Sequence, residues 1–266
     1  MRMKYYKFWV KESVKINVGQ SAEFVSILSG SNTSIEDARL ELAKQSRFVE
    51  QKINGESPAD DYEVPIKEHV EQVIDEANII TVCRYGAKIL NTCQYTVLDL
   101  DDYPIDFFDM FRAVRKLPKK ERIVAKFLQR LTKHPELGTD FRIYETTKGV
   151  RVIGKKYIEP AGKGYATLMR SLRVDWLYII LSQKQQCYRA RVTPKPYRMK
   201  IKTIKVTSPL DCETQTYQDW AKDYAVAAQR FSVVKLIQTV GADFSREPVI
   251  RLHDTLCNEG RSRTLA

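Results

Sequence analysis

The sequence predicts an α/β protein of the α+β class, built around a central βαββαβ unit with an antiparallel sheet. Segments with apolar residues at every second position alternate along the chain with segments whose apolar residues recur every three or four positions. Hydrophobic residues make up 43% of the 266 residues, which is enough to fill a core. No repeat or long linker divides the chain, so we expect one compact unit of three segments, residues 1–90, 91–206 and 207–266.

The N-terminal α/β segment begins with a predicted hairpin. Alternating apolar residues place its strands over 5–10 and 24–28, and a Gly-containing turn separates them. Ser34, followed by Asp37 three residues later, approximates a capping box. This pair predicts the start of a helix over 35–53.

The remainder of the N-terminal segment is predicted to hold a second helix and a strand pair. The helix covers 66–77, where the apolar residues share one helical face. The strands cover 79–83 and 87–90, around a turn at Arg84-Tyr85-Gly86.

The central segment carries the βαββαβ order. Its predicted elements are, in chain order, strand 95–101, helices 107–117 and 122–131, strands 141–145 and 150–155, helix 165–183 and strand 188–193. This order is that of the ferredoxin-like and RRM-like folds. In the usual arrangement of such a unit, the first and third strands are central neighbours and the fourth flanks the first.

The C-terminal segment is predicted to be mainly helical. Pro194 and Pro196 end the last strand of the central unit, and a further strand is expected over 200–206. Beyond it, the spacing of apolar residues predicts a helix over 217–239.

The alternation of side chains along the central strands predicts a polar sheet face. Leu98 and Leu100 lie on one face of the first central strand, so Asp99 and Asp101 lie on the other. The same reasoning places three arginines opposite the apolar residues of their strands: Arg151, Arg189 and Arg191. Because the two helices cover the apolar face, we expect the polar face to stay open to a ligand.

This polar face supports two interpretations. Paired carboxylates two residues apart on a strand can hold Mg²⁺ or Mn²⁺, and neighbouring arginines can bind phosphate through bidentate hydrogen bonds. Asp99 and Asp101 are then candidate metal ligands and catalytic residues, with Arg151 a phosphate ligand. Alternatively, the same residues form cross-strand Asp/Arg pairs that only solvate the sheet.

A basic and aromatic stretch over 187–198 extends the candidate site. Its candidate phosphate-binding residues are Arg189, Arg191, Lys195 and Arg198. Basic residues interleaved with tyrosines suit phosphate neutralisation and base stacking, and the formal net charge of +11 favours nucleic acid or nucleotides as partners. The alternative is an exposed edge strand kept soluble by charge.

Two stretches resemble the strand motifs of archaeo-eukaryotic primases and primase-polymerases. They are Val97-Leu98-Asp99-Leu100-Asp101 and Tyr144-Glu145-Thr146-Thr147-Lys148-Gly149-Val150-Arg151-Val152-Ile153, and the likeness covers about a hundred central residues at most. The resemblance implies that Asp99 and Asp101 hold the catalytic metals and that the second stretch contacts nucleotide phosphates. Arg151 stands where the family motif has His. No motif assigns a third acid, for which Asp175 and Asp211 are candidates.

The whole chain is also similar to a family of uncharacterised bacterial proteins. That resemblance rests on the strings Arg-Tyr-Gly-Ala, Gly-Val-Arg-Val and Tyr-Arg-Ala-Arg-Val-Thr-Pro-Lys-Pro. It implies no function.

Other patterns narrow the function classes. The five cysteines are odd in number and form no CxxC pair, which favours neither a disulfide framework nor a zinc site. Walker, dinucleotide-binding and hydrolase-elbow motifs are absent, and the three histidines are scattered, which favours structural roles for them. No apolar stretch has the length of a membrane helix and no signal peptide is recognised, so we expect a cytoplasmic protein without a membrane partner.

Two functions from different classes follow. The first is metal-dependent nucleotidyl or phosphoryl transfer of the primase-polymerase type, with Mg²⁺ or Mn²⁺ as cofactor. The second is a non-catalytic nucleic-acid-binding or adaptor protein with a degenerate form of the same fold. A third carboxylate close to Asp99 and Asp101 would distinguish them.

Overall fold

The computed structural model of the protein describes residues 3–19, 21–55, 66–103, 116–260 and 263–266. The predicted α+β class is confirmed. Most of the predicted helix over 107–117 lies outside the described residues.

The N-terminal hairpin and its helix are confirmed. Strands β1 (Phe8–Val18) and β2 (Ser21–Ser31) pair antiparallel along their whole length. Helix α1 (Ile35–Ile53) follows, and the Ser34 hydroxyl caps it by accepting a hydrogen bond from the backbone N–H of Asp37 at 3.0 Å. The apolar face of α1 packs against the hairpin. This unit therefore has a small core of its own.

An antiparallel sheet of four strands comes next. Its order is β3-β4-β5-β9, with β3 His69–Val73, β4 Asn78–Val82, β5 Lys88–Thr92 and β9 Tyr188–Arg191. The predicted helix over 66–77 is wrong, because these residues include β3. A β-bulge between Val70 and Gln72 inserts Glu71 and breaks the period-two alternation. Apolar residues therefore recur three positions apart, which resembles a helical spacing.

A second antiparallel sheet has the order β11-β7-β8-β6. Its strands are β6 Thr96–Leu100, β7 Phe141–Thr146, β8 Val150–Gly154 and β11 Val234–Val240. The first and third strands of the central unit, β6 and β8, are neighbours as predicted. The fourth strand, β9, departs from the prediction because its hydrogen-bonded partner is β5 rather than β6.

The seam between the two sheets is bridged by one side chain. The hydroxyl of Tyr178 shares its one proton between the carbonyl oxygens of Val97 in β6 at 2.9 Å and of Arg189 in β9 at 3.2 Å. It also accepts a hydrogen bond from the backbone N–H of Arg189 at 3.3 Å. Strands β6 and β9 are therefore linked through a tyrosine hydroxyl instead of through direct backbone hydrogen bonds. The hydroxyl satisfies backbone groups that would otherwise be buried without partners.

Helices cover the apolar face of the second sheet. They are α2 (Lys119–Leu131), α3 (Tyr165–Ser171) and α4 (Trp176–Gln185). Leu98 and Leu100 are buried in the same core as Phe127 of α2 and Met169 of α3, as the alternation predicts. The helix predicted over 165–183 is two helices. Arg173, with φ +63°, lies between them.

The C-terminal segment is not mainly helical. It contains α5 (Gln215–Ala228), β10 (Phe231–Ser232), β11, α6 (Pro248–Leu256) and β12 (Thr264–Leu265). The helix predicted over 217–239 therefore ends early, because the Val- and Ile-containing run after it pairs with β7 as an edge strand. No strand forms over 200–206, where the described backbone is irregular.

The turn between β7 and β8 lies against the end of β6. A Cβ atom on Gly149 would overlap the carbonyl oxygen of Leu100 and approach the Cα of Asp101. Glycine therefore allows this turn to pack directly beside Asp101. Among the described helices, none is both long and apolar enough to cross a membrane.

Candidate functional site

A cleft of about 870 Å³ opens where the two sheets meet. Its walls come from the ends of β6, β8 and β9, from the turns after β4 and β7, and from one side of α4. Every site residue predicted from the sequence lines this cleft: Asp99, Asp101, Arg151, Arg189, Arg191, Lys195 and Arg198. The structure therefore brings the predicted site together, although the β9 ladder differs from the one assumed.

Asp99 and Arg151 form an ion pair at the floor of the cleft. They face each other in the β6–β8 register, and Nε and Nη2 of Arg151 donate to the two carboxylate oxygens of Asp99 at 2.8 and 3.2 Å. Arg151 is 2% exposed, whereas the Asp99 side chain is 39% exposed. Burial acts to raise the pKa of Asp99, but the charge and hydrogen bonds of Arg151 outweigh it and hold that pKa below its ordinary value.

The remaining nitrogen of Arg151 is also occupied. Nη1 donates to the backbone carbonyl of Arg191 at 2.7 Å and lies 3.4 Å from Nε2 of His253 in α6. The other ring nitrogen of His253 lies 2.8 Å from a carboxylate oxygen of Asp254. Helix α6 therefore covers part of the face that was expected to stay open. Arg151 lies in the cleft, but each of its three guanidinium nitrogens already donates to an acceptor of the protein.

The carboxylates of the cleft offer few free ligand atoms to a metal ion. A divalent cation needs free oxygen lone pairs from several ligands. Both oxygens of Asp99 accept hydrogen bonds from Arg151, and Asp101 is an exposed carboxylate at the rim. Within the part of the chain that the structure describes, no cluster of three or more His, Cys, Asp or Glu side chains could hold a metal ion. Two carboxylates, one of them ion-paired with Arg151, are a poor donor set for Mg²⁺ or Mn²⁺, and the metal site stays a prediction.

The two candidates for a third acid have other roles. Asp175 caps α4, because its Oδ1 accepts hydrogen bonds from the backbone N–H groups of Leu177 and Tyr178 at 2.9 and 3.1 Å. Asp211 accepts hydrogen bonds from the backbone N–H groups of Thr207 and Ser208 in a capping box. Neither side chain lines the cleft.

Arg189 is held by a carboxylate that the sequence did not point to. Its Nη2 donates to both carboxylate oxygens of Glu68, each at 2.7 Å. The hydroxyl of Thr81 donates to the same carboxylate at 2.6 Å. Both charged side chains are largely buried, so neither presents its charge to a ligand. The pair instead links strand β9 to Glu68, the residue that precedes β3.

Five cations of the cleft have no carboxylate partner within ion-pair distance among the described residues. They are Arg84, Lys148, Arg191, Lys195 and Arg198. Arg191 donates to the carbonyl of Thr193, and Arg198 donates to the hydroxyl of Thr147. These hydrogen bonds hold the two guanidinium groups in position but leave their charges unneutralised. Of the described residues that line the cleft, Asp101 alone adds a carboxylate without an ion-pair partner, so this part of the cleft is strongly cationic.

Crowding of these charges is visible in their pKa values. Burial lowers the pKa of Arg191, and the neighbouring charge of Arg151 lowers it further. Burial also lowers the pKa of Lys195, and the Arg191 and Arg198 cations act in the same direction. A bound anion would relieve this repulsion, because an opposite charge favours the protonated form of each group.

Sequence reasoning missed Arg84, Lys148 and Glu68. Arg84 and Lys148 are exposed residues of tight turns, and the Arg-Tyr-Gly and Thr-Lys-Gly strings mark those turns in the sequence. A search of the turns next to the predicted strands for basic residues would have found them. Glu68 lies 121 residues from Arg189, and no local pattern connects the two.

Fold and cleft together define an α+β protein with a cationic groove at the junction of two antiparallel sheets. Comparisons with models of protein families, with curated proteins and with solved structures found no match to this chain. The resemblances to primase-polymerases and to a bacterial family therefore stay predictions.

Proposed function

We propose that this protein binds nucleic acid through its cationic cleft, without metal-dependent chemistry at Asp99 and Asp101. The observation that carries the proposal is the set of five cations around one cleft of about 870 Å³ that lack a carboxylate partner among the described residues. Phosphate groups are the ligands that such a set neutralises. Of the two functions predicted from the sequence, the geometry favours the nucleic-acid-binding one.

The shape of the basic surface favours a chain of phosphates over one nucleotide. A second recess of about 260 Å³ adjoins the cleft and shares Glu68 and Arg84 with it. Lys67, Thr207 and Ser208 line this recess and add a cation and two hydroxyl groups. A ligand that follows the basic residues thus passes from Arg198 and Lys148 towards Arg84 and Lys67.

Fluorescence anisotropy of a labelled oligonucleotide tests the proposal. The probe is a fluorescein-labelled oligodeoxythymidine of about twelve nucleotides, a length within the range that single-strand binding sites cover. We expect saturable binding at low salt and a tighter complex for Asp101→Asn, because the substitution removes a negative charge from the rim. A metal-dependent transferase would instead depend on the Asp101 carboxylate. Absence of binding at low salt would refute the proposal.

Metal-dependent nucleotidyl transfer is the second candidate. It is favoured by the position of Asp99 and Asp101 in one cleft beside cations, as the resemblance implies. A metal ion bound by Asp99 would share that carboxylate with the Arg151 guanidinium, which is 2% exposed, and the two positive charges would repel each other.

Calorimetric titration with Mn²⁺ separates the two candidates. We expect no saturable heat at submillimolar Mn²⁺ in the native protein, because Asp99 is ion-paired with Arg151 and the described residues supply no cluster of three ligands there. The control is the Asp99→Asn, Asp101→Asn double variant. A saturable heat in the native protein that disappears in this variant would establish the metal site and overturn our preference.

A further inference from the structure

The outer face of α4 is apolar, exposed and continuous with the cationic cleft. Leu177 and Leu181 line the cleft and are 49% and 40% exposed. Trp176 and Ile180 extend the same stripe outward and are 65% and 36% exposed. The opposite side of the helix buries Ile179 in the main core. The first half of α4 is apolar on its exposed side as well as on its buried side, and among the described residues nothing covers that exposed side.

The position of this stripe restricts what can cover it. It forms one wall of the cleft whose other walls carry Lys148, Arg191, Lys195 and Arg198. An occupant that fills both regions needs anionic groups on one side and flat apolar groups on the other. A single-stranded polynucleotide has this chemistry, because its unstacked bases expose π-faces beside the phosphates. A duplex hides those faces in its stack.

We propose, on the basis of the proposed function, that the ligand is a single-stranded polynucleotide. Its phosphates contact the cations of the cleft, and its bases lie on Trp176, Leu177, Ile180 and Leu181. Trp176 is then the stacking residue. Its large exposed ring at the N-terminal end of α4 is the best platform that this face offers. Tyr197, 57% exposed beside Lys195 and Arg198, offers a second aromatic surface at the basic end.

The intrinsic fluorescence of Trp176 can report contact with the bases in the native protein. Of its three tryptophans, Trp9 is buried and Trp220 is half buried, so a ligand that stacks on the surface meets Trp176 first. We expect the oligodeoxythymidine to quench part of the tryptophan fluorescence. The quenching should disappear in Trp176→Phe, which keeps an aromatic surface, while the anisotropy change of the labelled oligonucleotide remains.

Trp176→Ala provides the affinity test, with inorganic polyphosphate as a polyanion that has no bases. We expect the variant to bind the oligonucleotide about tenfold more weakly and polyphosphate unchanged. The matched control is Phe24→Ala, an aromatic residue that is 73% exposed on the N-terminal hairpin and lies outside the cleft. This control should leave both affinities unchanged.

The outcomes separate this inference from the proposed function. If Trp176→Ala changes neither affinity, or weakens oligonucleotide and polyphosphate equally, the bases do not lie on α4, although the cleft still binds polyanions. The inference is also overturned if Trp176 is needed for binding to vesicles of phosphatidylserine but not to the oligonucleotide. If neither oligonucleotide nor polyphosphate binds at low salt, the proposed function itself fails.

Discussion

Asp99→Asn is expected to lower the free energy of unfolding by about 2–3 kcal/mol, because it leaves the buried Arg151 guanidinium without its counter-ion. Breaking a fully buried pair typically costs about 3–5 kcal/mol, and the partial exposure of Asp99 reduces that figure. Urea unfolding monitored by circular dichroism measures the change. The asparagine keeps the shape of the side chain, so packing is little altered.

Asp101→Asn is the matched control for this substitution. Asp101 lies two residues after Asp99, just beyond the end of β6. Its side chain is exposed and has no ion pair among the described residues. We expect its unfolding free energy to change by less than about 0.5 kcal/mol, as for ordinary surface substitutions. Equal losses for the two variants would contradict a structural role specific to Asp99.

The Asp99 effect also has a defined pH dependence. The folded protein holds the pKa of Asp99 below its ordinary value of 3.8. A lowered pKa contributes stability that is present above the unfolded value and is lost as the pH falls through the folded value. The stability difference between the native protein and Asp99→Asn should therefore be largest above pH 3.8 and shrink in stronger acid.

Replacing Lys195 and Arg198 together by alanine should weaken oligonucleotide binding at low salt by tenfold or more, since about two phosphate contacts are lost. The control is the Lys44→Ala, Lys52→Ala variant of α1, which changes the net charge equally but lies outside the cleft. General charge alone would make the two variants equivalent. Arg189 is unsuitable for this test, because its removal would leave Glu68 unpaired.

The site could be predicted from the sequence to the extent that it depends on local alternation. Asp99 and Asp101 reach the cleft because Leu98 and Leu100 must face the core, and this parity holds whatever strand lies alongside. The ion pair of Asp99 with Arg151 follows from the β6–β8 pairing that the βαββαβ order predicts. The cross-strand Asp/Arg alternative thus describes this pair.

The remaining features depend on interactions between distant parts of the chain. No local pattern indicates that β9 pairs with β5, or that the Tyr178 hydroxyl fills the seam beside β6. The β-bulge at Glu71 and the strand after α5 were predicted as helices, because their apolar spacing is ambiguous over a few residues. Tertiary pairing, rather than local propensity, decides these elements.

The salt dependence of oligonucleotide affinity tests the central claim, a cleft that neutralises phosphates, most directly. If Arg84, Lys148, Arg191, Lys195 and Arg198 each contact one phosphate, log K should fall with log salt concentration with a slope of about −3.5 for a single strand. The Lys195→Ala, Arg198→Ala variant should flatten that slope by about 1.4, whereas the Lys44→Ala, Lys52→Ala variant should not. A slope near zero, or equal slopes for both variants, would contradict the account.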